Sequence, residues 1–179
     1  MIETFDIVNA QDNLIGKAKR DECHEKGLLH RGVHVLVFDG LGKVLVRQRS
    51  HKKDVYPDFW EASISGHVNS GEVYKEAALR ALREKLAIAI APKQLKQVIK
   101  FGLHTEEERQ FVMLYVLLDY KGDWTFDKDE TKIANWWTIE KLQEEVKKAK
   151  KFFTPSFLHV FKSYNGLSRI SKDFLELRK

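Results

Sequence analysis

A glycine-containing loop followed by an amphipathic helix is the feature that most constrains the fold of this chain. The loop contains Gly66 and Gly71, and glycine permits positive φ angles and close approach of the backbone to a ligand. Ser70 is placed to cap a helix that we expect to begin at Glu72. Apolar residues then recur at helical spacing, at Ala78, Leu79, Leu82 and Leu86. The stretch therefore predicts a loop–helix unit with one face packed on a core.

A polar row runs along the same predicted helix. Glu76, Arg80 and Glu84 are spaced four residues apart, so they lie on one face. Two carboxylates on one face can bind a cation, and an arginine between them can equally form ordinary helix ion pairs. This row is the first candidate for a functional site.

The stretch resembles the box of the Nudix family, whose pattern is Gly, five residues, Glu, seven residues, then Arg-Glu-aliphatic-any-Glu-Glu-any-Gly-aliphatic. Six positions agree with that pattern: Gly66, Glu72, Arg80, Leu82, Glu84 and Ile88. Three demanded residues are replaced, because Ala81 and Lys85 stand where the pattern has Glu and Ala87 stands where it has Gly. The resemblance implies an α+β fold, the Nudix-type α/β/α sandwich with a mixed sheet.

The order of the other predicted elements agrees with such a sandwich. Strands are predicted at 2–8, 28–38, 43–49, 95–101, 111–118 and 135–139, and helices at 17–26, 139–150, 154–164 and 170–178. Asp39-Gly40 predicts a turn that joins 28–38 and 43–49 as an antiparallel hairpin. No linker or repeat interrupts the chain, so we expect a single domain over 1–179, with a core at about 28–145 and C-terminal helices at 150–178.

Composition limits the classes of function. Hydrophobic residues make up 43% of the chain and charged residues 32%, which is typical of a globular protein. The net charge of +5 is spread along the sequence, so it favours an anionic small molecule and does not indicate a dedicated nucleic-acid partner. A lone Cys23 excludes an internal disulfide, and no apolar run reaches membrane-spanning length. We expect a cytoplasmic protein with no membrane partner, and a homodimer is left open.

The resemblance also implies the chemistry and its residues. Nudix hydrolases cleave the pyrophosphate bond of a nucleoside diphosphate linked to another group, with a divalent ion such as Mg²⁺ or Mn²⁺. The implied metal ligands are the carbonyl of Gly66 and the carboxylates of Glu72 and Glu84. Glu84 and Arg80 are also expected to act in catalysis, with Arg80 orienting those carboxylates.

Three further side chains are expected to bind the small-molecule diphosphate substrate: Arg49, Lys53 and His67. Glu108 directly precedes the predicted strand 111–118, where the family commonly has an additional carboxylate that serves as a base. A solvated turn at 106–108 explains this acidic run equally well. Substrate identity depends on loop shapes that the sequence does not specify.

Lys85 stands at the position of the principal metal ligand of the box. A protonated lysine has three donors and no acceptor, so it cannot bind Mg²⁺ and repels it. Two functions follow. We place first a metal-dependent pyrophosphohydrolase with a weakened site, and second a catalytically silent diphosphate-binding protein in which the Lys85 ammonium replaces the charge of the metal.

A wider set of residues is similar to the Nudix subgroup related to type 1 isopentenyl-diphosphate isomerase. That enzyme requires a cysteine before a Gly-His pair, several metal-binding histidines and two strand glutamates. His24, His30 and His67 match the histidines, whereas Ser65 replaces the cysteine and Gln110 the second glutamate. A serine hydroxyl is a far weaker acid than a thiol, so isomerase activity is not expected.

Overall fold

Nine strands and four α-helices make up the part of the chain that the computed structural model describes, residues 3–170, with side chains to residue 164. The strands are β1 (Thr4–Val8), β2 (Leu14–Lys19), β3 (His30–Val37), β4 (Lys43–Arg49), β5 (Trp60–Glu61), β6 (Ile64–His67), β7 (Leu95–His104), β8 (Arg109–Leu117) and β9 (Thr131–Thr138). The helices are α1 (Arg20–Glu25), α2 (Tyr74–Leu86), α3 (Ile139–Ala149) and α4 (Pro155–Ile170).

The central sheet is mixed. Its order is β6-β3-β8-β7, and β3 runs parallel to β8 while the other pairs are antiparallel. A second, antiparallel sheet has the order β5-β4-β9, and β1 and β2 form a separate pair. The parallel pair is possible because a long crossover containing α2 connects the two halves of the central sheet.

Side chains of β3 alternate between two apolar cores. Val33, Val35 and Val37 are buried in the core that contains α2. Leu36 points the opposite way, into the core formed with α3 and α4. This alternation follows from the two-residue period of a strand, and it places helices on both faces of the central sheet. The predicted α+β sandwich with a mixed sheet is confirmed.

The predicted hairpin of 28–38 and 43–49 is wrong in its pairing. The turn itself forms, and the Asp39 carboxylate accepts hydrogen bonds from the amides of Leu41 at 2.7 Å and Lys43 at 3.0 Å. Within residues 3–170, however, β3 and β4 share one isolated bridge, Phe38 with Val44, and each strand belongs to a different sheet. Instead β3 pairs with β6 and β8, and β4 pairs with β5 and β9.

Two helix predictions also change. Residues 14–19 form β2, which pairs with β1 from Thr4 opposite Lys19, and only Arg20–Glu25 is helical. Helix α2 begins at Tyr74 rather than near Glu72, and Ser70 does not cap it; instead Glu76 accepts a hydrogen bond from the Val73 amide at 3.2 Å. The helix predicted at 170–178 lies outside the described residues except for its first position. None of the helices in residues 3–170 is long and apolar enough to span a membrane.

Candidate functional site

A polar cavity of about 340 Å³ lies between β6, the C-terminal half of α2, the β7–β8 turn and the start of α4. It brings together most of the predicted site residues: Arg49, Lys53, Gly66, His67, Arg80, Glu84 and Glu108. Lys85, Ser65 and Gln110 also line it, whereas Glu72 does not. The cavity is therefore the candidate site, with one predicted metal ligand outside its lining.

Arg80 forms hydrogen-bonded ion pairs with two carboxylates of the box, Glu72 and Glu84. Its Nε donates to Glu72 Oε1 at 2.7 Å, its Nη2 to Glu72 Oε2 at 2.8 Å, and its Nη1 to Glu84 Oε2 at 3.0 Å. The Asn69 amide also donates to Glu72 Oε2, at 2.9 Å. Burial raises the pKa of the Glu72 carboxyl, but the hydrogen bonds from Arg80 and Asn69 outweigh it and lower that pKa. Arg80 further donates to the His67 carbonyl at 3.0 Å, so it joins the helix to the loop.

The Lys85 ammonium lies at the edge where the box would hold a metal ion. Its Nζ is 3.0 Å from the Ser65 carbonyl oxygen and 3.4 Å from Glu130 Oε2. Glu130 also accepts a hydrogen bond from Lys53 Nζ at 2.7 Å. Burial raises the pKa of Glu130, but the charges of Lys85 and Lys53 dominate and lower it to about 2. Glu130 is thus an anion shared by two ammonium groups.

The residues at this edge do not fit a magnesium ion. Both oxygens of Glu72 are hydrogen-bonded, one oxygen of Glu84 is taken by Arg80, and the Lys85 ammonium contributes positive charge in place of an oxygen ligand. Of the predicted set of Gly66, Glu72 and Glu84, Gly66 and Glu84 line the cavity and Glu72 does not, and both carboxylates are paired with the Arg80 guanidinium.

A second shared anion lies beneath the cavity. Glu61, which is 3% exposed, accepts from Arg47 Nη2 at 2.6 Å and from Arg49 Nη1 at 3.0 Å. Arg47 is fully buried, and Arg49 also donates to the Val55 carbonyl at 2.7 Å and so fixes the loop after β4. The 50–56 loop that carries Lys53 is therefore held against the same carboxylate.

Three histidines converge on the opposite wall. Ring nitrogens of His24, His30 and His67 lie within 4.8 Å of one another, one each from α1, β3 and β6. Nδ1 of His24 is 3.0 Å from the Glu107 carbonyl oxygen, and Nδ1 of His30 is 2.8 Å from that of Leu28. Backbone carbonyls accept hydrogen bonds, so these Nδ1 atoms carry the protons and the Nε2 atoms are acceptors; that of His30 faces the Gln110 side-chain amide, which a metal ion would displace.

The electrostatics of the three histidines suit metal binding. Burial lowers the pKa of all three rings, that of His30 to about 4, so they are neutral at pH 7. Nε2 of His24 and Nε2 of His67 are buried and have no hydrogen-bond partner among the described residues. A neutral imidazole whose second nitrogen is bonded to a carbonyl is a usual ligand for a transition-metal ion, and His24 and His30 have this arrangement. The donor set therefore fits a divalent transition metal.

Glu108 is the carboxylate of the cavity with a raised pKa. Burial raises the pKa of Glu108 to about 7, with the Arg49 guanidinium acting against it. Its neighbour Glu107 accepts a hydrogen bond from the Tyr56 hydroxyl, so the turn is attached to the loop after β4. Two residues later, Gln110 Nε2 lies 3.2 Å from His30 Nε2. Within the acidic run, Glu108 lines the cavity, Glu107 is half-buried and Glu106 is exposed.

Sequence reasoning missed Glu61 and Glu130. Neither residue stands in the box, and Glu130 is 45 positions from Lys85 along the chain. A signal was nevertheless present, since a lysine at a buried edge requires a carboxylate partner.

Comparison with known proteins gives the family. The NUDIX domain model matches residues 28–157. An uncharacterized Nudix hydrolase of Yersinia pestis is 41% identical over 92 residues, and this match spans about half of each protein, 51% of this chain and 50% of the relative. An isopentenyl-diphosphate Delta-isomerase of Serratia proteamaculans is 31% identical over 167 residues, covering 90% of this chain and 91% of that protein.

Among solved structures, DR0079 from Deinococcus radiodurans superimposes with a TM-score of 0.70 at 24% identity, covering 82% of this chain and 90% of that one. Nudix hydrolases act on small-molecule diphosphates, specifically nucleoside diphosphates linked to other groups, and generally use divalent metals such as Mg²⁺ or Mn²⁺. The family model covers most of the chain, and the fold agrees. This protein belongs to the Nudix superfamily and, within it, resembles isopentenyl-diphosphate isomerase.

Proposed function

We propose that this protein hydrolyses the pyrophosphate bond of a nucleoside diphosphate linked to another group, with its divalent metal bound by His24, His30 and His67 and not by the box. The observation that carries the proposal is the convergence of three histidine ring nitrogens within 4.8 Å of one another beside a polar cavity whose lining includes Arg49, Lys53 and Lys85. The cations supply binding for phosphate oxygens, and the histidines supply a metal site that the box edge no longer offers.

Each residue of the cavity has a defined part in this proposal. A divalent metal, when bound, polarises a phosphoryl oxygen and lowers the pKa of a bound water. Glu108 accepts the proton that water loses as its oxygen bonds to phosphorus and the bridging P–O bond breaks, giving two phosphate products. Arg49 and Lys53 bind the phosphate oxygens, and Arg80 holds α2 against the loop.

Isomerase activity is disfavoured by two features of the same cavity. Ser65 lines it where proton transfer by the isomerase requires a thiol. Among the described residues that line the cavity, the aliphatic side chains are Val55, Ala81 and Pro155, which offer little apolar surface for an isoprenyl chain. A polar ligand fits this lining better.

The test is a turnover assay with defined metal content. Metal-free protein is loaded in turn with Mn²⁺, Co²⁺, Zn²⁺ or Mg²⁺, and phosphate products are measured on a panel of nucleotide sugars and dinucleotides. We expect turnover with a transition metal, and a loss of about 100-fold or more in His67→Ala and Glu108→Gln. His104→Ala is the matched control, because His104 is exposed on β7 and outside the cavity lining. Absence of metal-dependent turnover on every substrate would refute the hydrolase.

A silent diphosphate-binding protein is the second candidate. The observation that favours it is the Lys85 ammonium, bonded to the Ser65 carbonyl and to Glu130 where the box would hold a metal. The same panel separates the two functions, since a silent protein binds panel members by calorimetry without converting them under any metal condition.

A further inference from the structure

Lys85 has one donor to spare. Its ammonium has three N–H groups, and the described residues provide two acceptors, the Ser65 carbonyl and Glu130. The side chain lines the cavity and is 24% exposed, so a ligand oxygen can reach it. Ser65 directly precedes Gly66, and the ammonium therefore sits beside the loop glycine of the box.

Two carboxylates at the floor of the cavity each accept hydrogen bonds from two cations. Glu130 lies between Lys53 and Lys85, and Glu61 lies between Arg47 and Arg49. Arg49, Lys53 and Lys85 line the cavity, whereas Arg47 is buried beneath it.

The Lys53 and Lys85 ammonium groups share Glu130, and each keeps at least one N–H without an acceptor among the described residues. A phosphate oxygen can therefore accept a hydrogen bond from both without displacing the carboxylate.

We propose that Lys85 is the fixed cation of a metal-independent oxyanion site, which binds one phosphate group of the ligand at the place where the Nudix box otherwise holds a divalent ion. The inference rests on the proposed function in one respect, that the ligand carries a diphosphate. The phosphate lies between the Lys85 ammonium and the Arg49 and Lys53 side chains, and the second phosphate extends toward the three histidines.

Two consequences distinguish this arrangement from an ordinary box. Magnesium ions do not bind at the box of the wild-type protein, since the ammonium repels them. The substitution Lys85→Glu replaces the ammonium with the carboxylate that the family pattern has at this position. It therefore creates a magnesium site that the wild-type protein lacks.

Calorimetric titration of the full chain with methylenediphosphonate tests the proposal, because the P–C–P bridge of this probe resists hydrolysis. All metal is removed with EDTA, which also empties the histidine site. We expect wild-type protein to bind the probe, Lys85→Met and Lys85→Gln to lose at least about tenfold in affinity, and Lys85→Arg to stay within roughly threefold. Lys75→Met is the matched control, since Lys75 is the other lysine of α2 and lies outside the cavity lining. Thermal unfolding of each variant confirms that it is folded.

A second titration uses Mg²⁺ alone. We expect no binding to wild-type protein and binding of one ion to Lys85→Glu. The inference is overturned if the wild-type protein binds the probe only with Mg²⁺, or if both neutral variants bind within twofold of wild type. Failure of the hydrolase proposal is a separate result, absence of turnover on the substrate panel, and it leaves metal-free probe binding through Lys85 unaffected.

Discussion

Ala87→Gly should stabilise the protein, because position 87 holds a left-handed backbone. Ala87 follows the last residue of α2 with φ 53° and ψ 24°. Its amide donates to the Arg83 carbonyl at 3.0 Å, and the Ile88 amide donates to the Leu82 carbonyl at 3.1 Å. Ile88 is fully buried in the α2 core, so the chain must reverse at position 87 to return that side chain inward. The glycine that the family pattern demands here has a structural reason.

The size of the effect follows from two opposing terms. A left-handed conformation costs a residue with a Cβ about 1–2 kcal/mol. Glycine adds conformational entropy to the unfolded chain, which costs about 0.4–1 kcal/mol. The exposed methyl group of Ala87 contributes little packing. The net gain is about 0.5–1 kcal/mol, or a rise of roughly 1–4 °C in the midpoint of thermal unfolding for a chain of this size.

Urea denaturation followed by circular dichroism measures the gain. The control is Ala89→Gly, at an exposed position close by whose φ is not positive, where only the entropy term acts. The control should lose about 0.4–1 kcal/mol. If both variants lose the same amount, the left-handed strain at position 87 is absent and the structural explanation of the glycine fails.

Three further predictions concern buried charge. Glu61→Gln should cost about 3–5 kcal/mol in urea denaturation at pH 7, because Arg47 is left buried without a counter-ion. Burial raises the pKa of Glu61, yet Arg47 and Arg49 outweigh it and lower that pKa. Glu61 therefore stabilises the folded state above its pKa in the unfolded chain, about 4, and this stabilisation is lost in stronger acid. The difference in unfolding free energy between Glu61→Gln and wild type should shrink there, and a difference that stays constant with pH would contradict the ion pair. If Glu108 is the base, with its pKa of about 7, the hydrolysis rate should rise as pH increases through about 7, and Glu108→Gln should remove that limb. Burial lowers the pKa of His34 to about 4, so as the pH falls the unfolded chain binds a proton at this residue before the folded protein does. The free energy of unfolding should therefore fall by roughly 2 kcal/mol between pH 7 and pH 5. If His34→Gln leaves this pH dependence unchanged, His34 is not its cause.

Sequence patterns predicted the parts of the fold that depend on local periodicity. The apolar stripe from Ala78 to Leu86 placed α2 within two residues of its true start, and β8 agrees closely with the predicted strand 111–118. Pairing was not predictable in the same way. Strands β3 and β4 are apolar on both faces, so their pattern is compatible with any buried neighbour and gives no information on which sheet each joins.

Strand β2 illustrates the opposite difficulty. Five of its six residues are exposed, so it lacks the alternation that marks a half-buried strand. Its basic composition favoured a helix, and backbone pairing with β1 overrides that preference. Such an edge element depends on tertiary contacts that no local window contains.

The candidate site shows the same division. Residues that the family resemblance supplied, such as Glu84, Glu108 and His67, do line one cavity. The convergence of the three histidines was not derivable from spacing, because they arrive from three elements. Their distance depends on the pairing of β3 with β6, where Gly32 lies opposite His67, and on the position of α1 after β2.

The three departures from the box have different physical meanings. Ala87 affects only the conformational free energy at the C-terminus of α2, where a residue with a Cβ holds a left-handed conformation. Lys85 changes the charge of the site, and a lysine at a buried edge is tolerable only where a carboxylate faces it. Glu130 provides that carboxylate from a distant loop and shares it with Lys53, while Arg80 keeps the remaining carboxylates of the box in place. A site that had simply lost its ligands would leave an unpaired ammonium, whereas here every charge of the edge has a partner. The altered box is therefore a consistent charge arrangement, and under our proposal it binds an anion where the family pattern binds a metal ion.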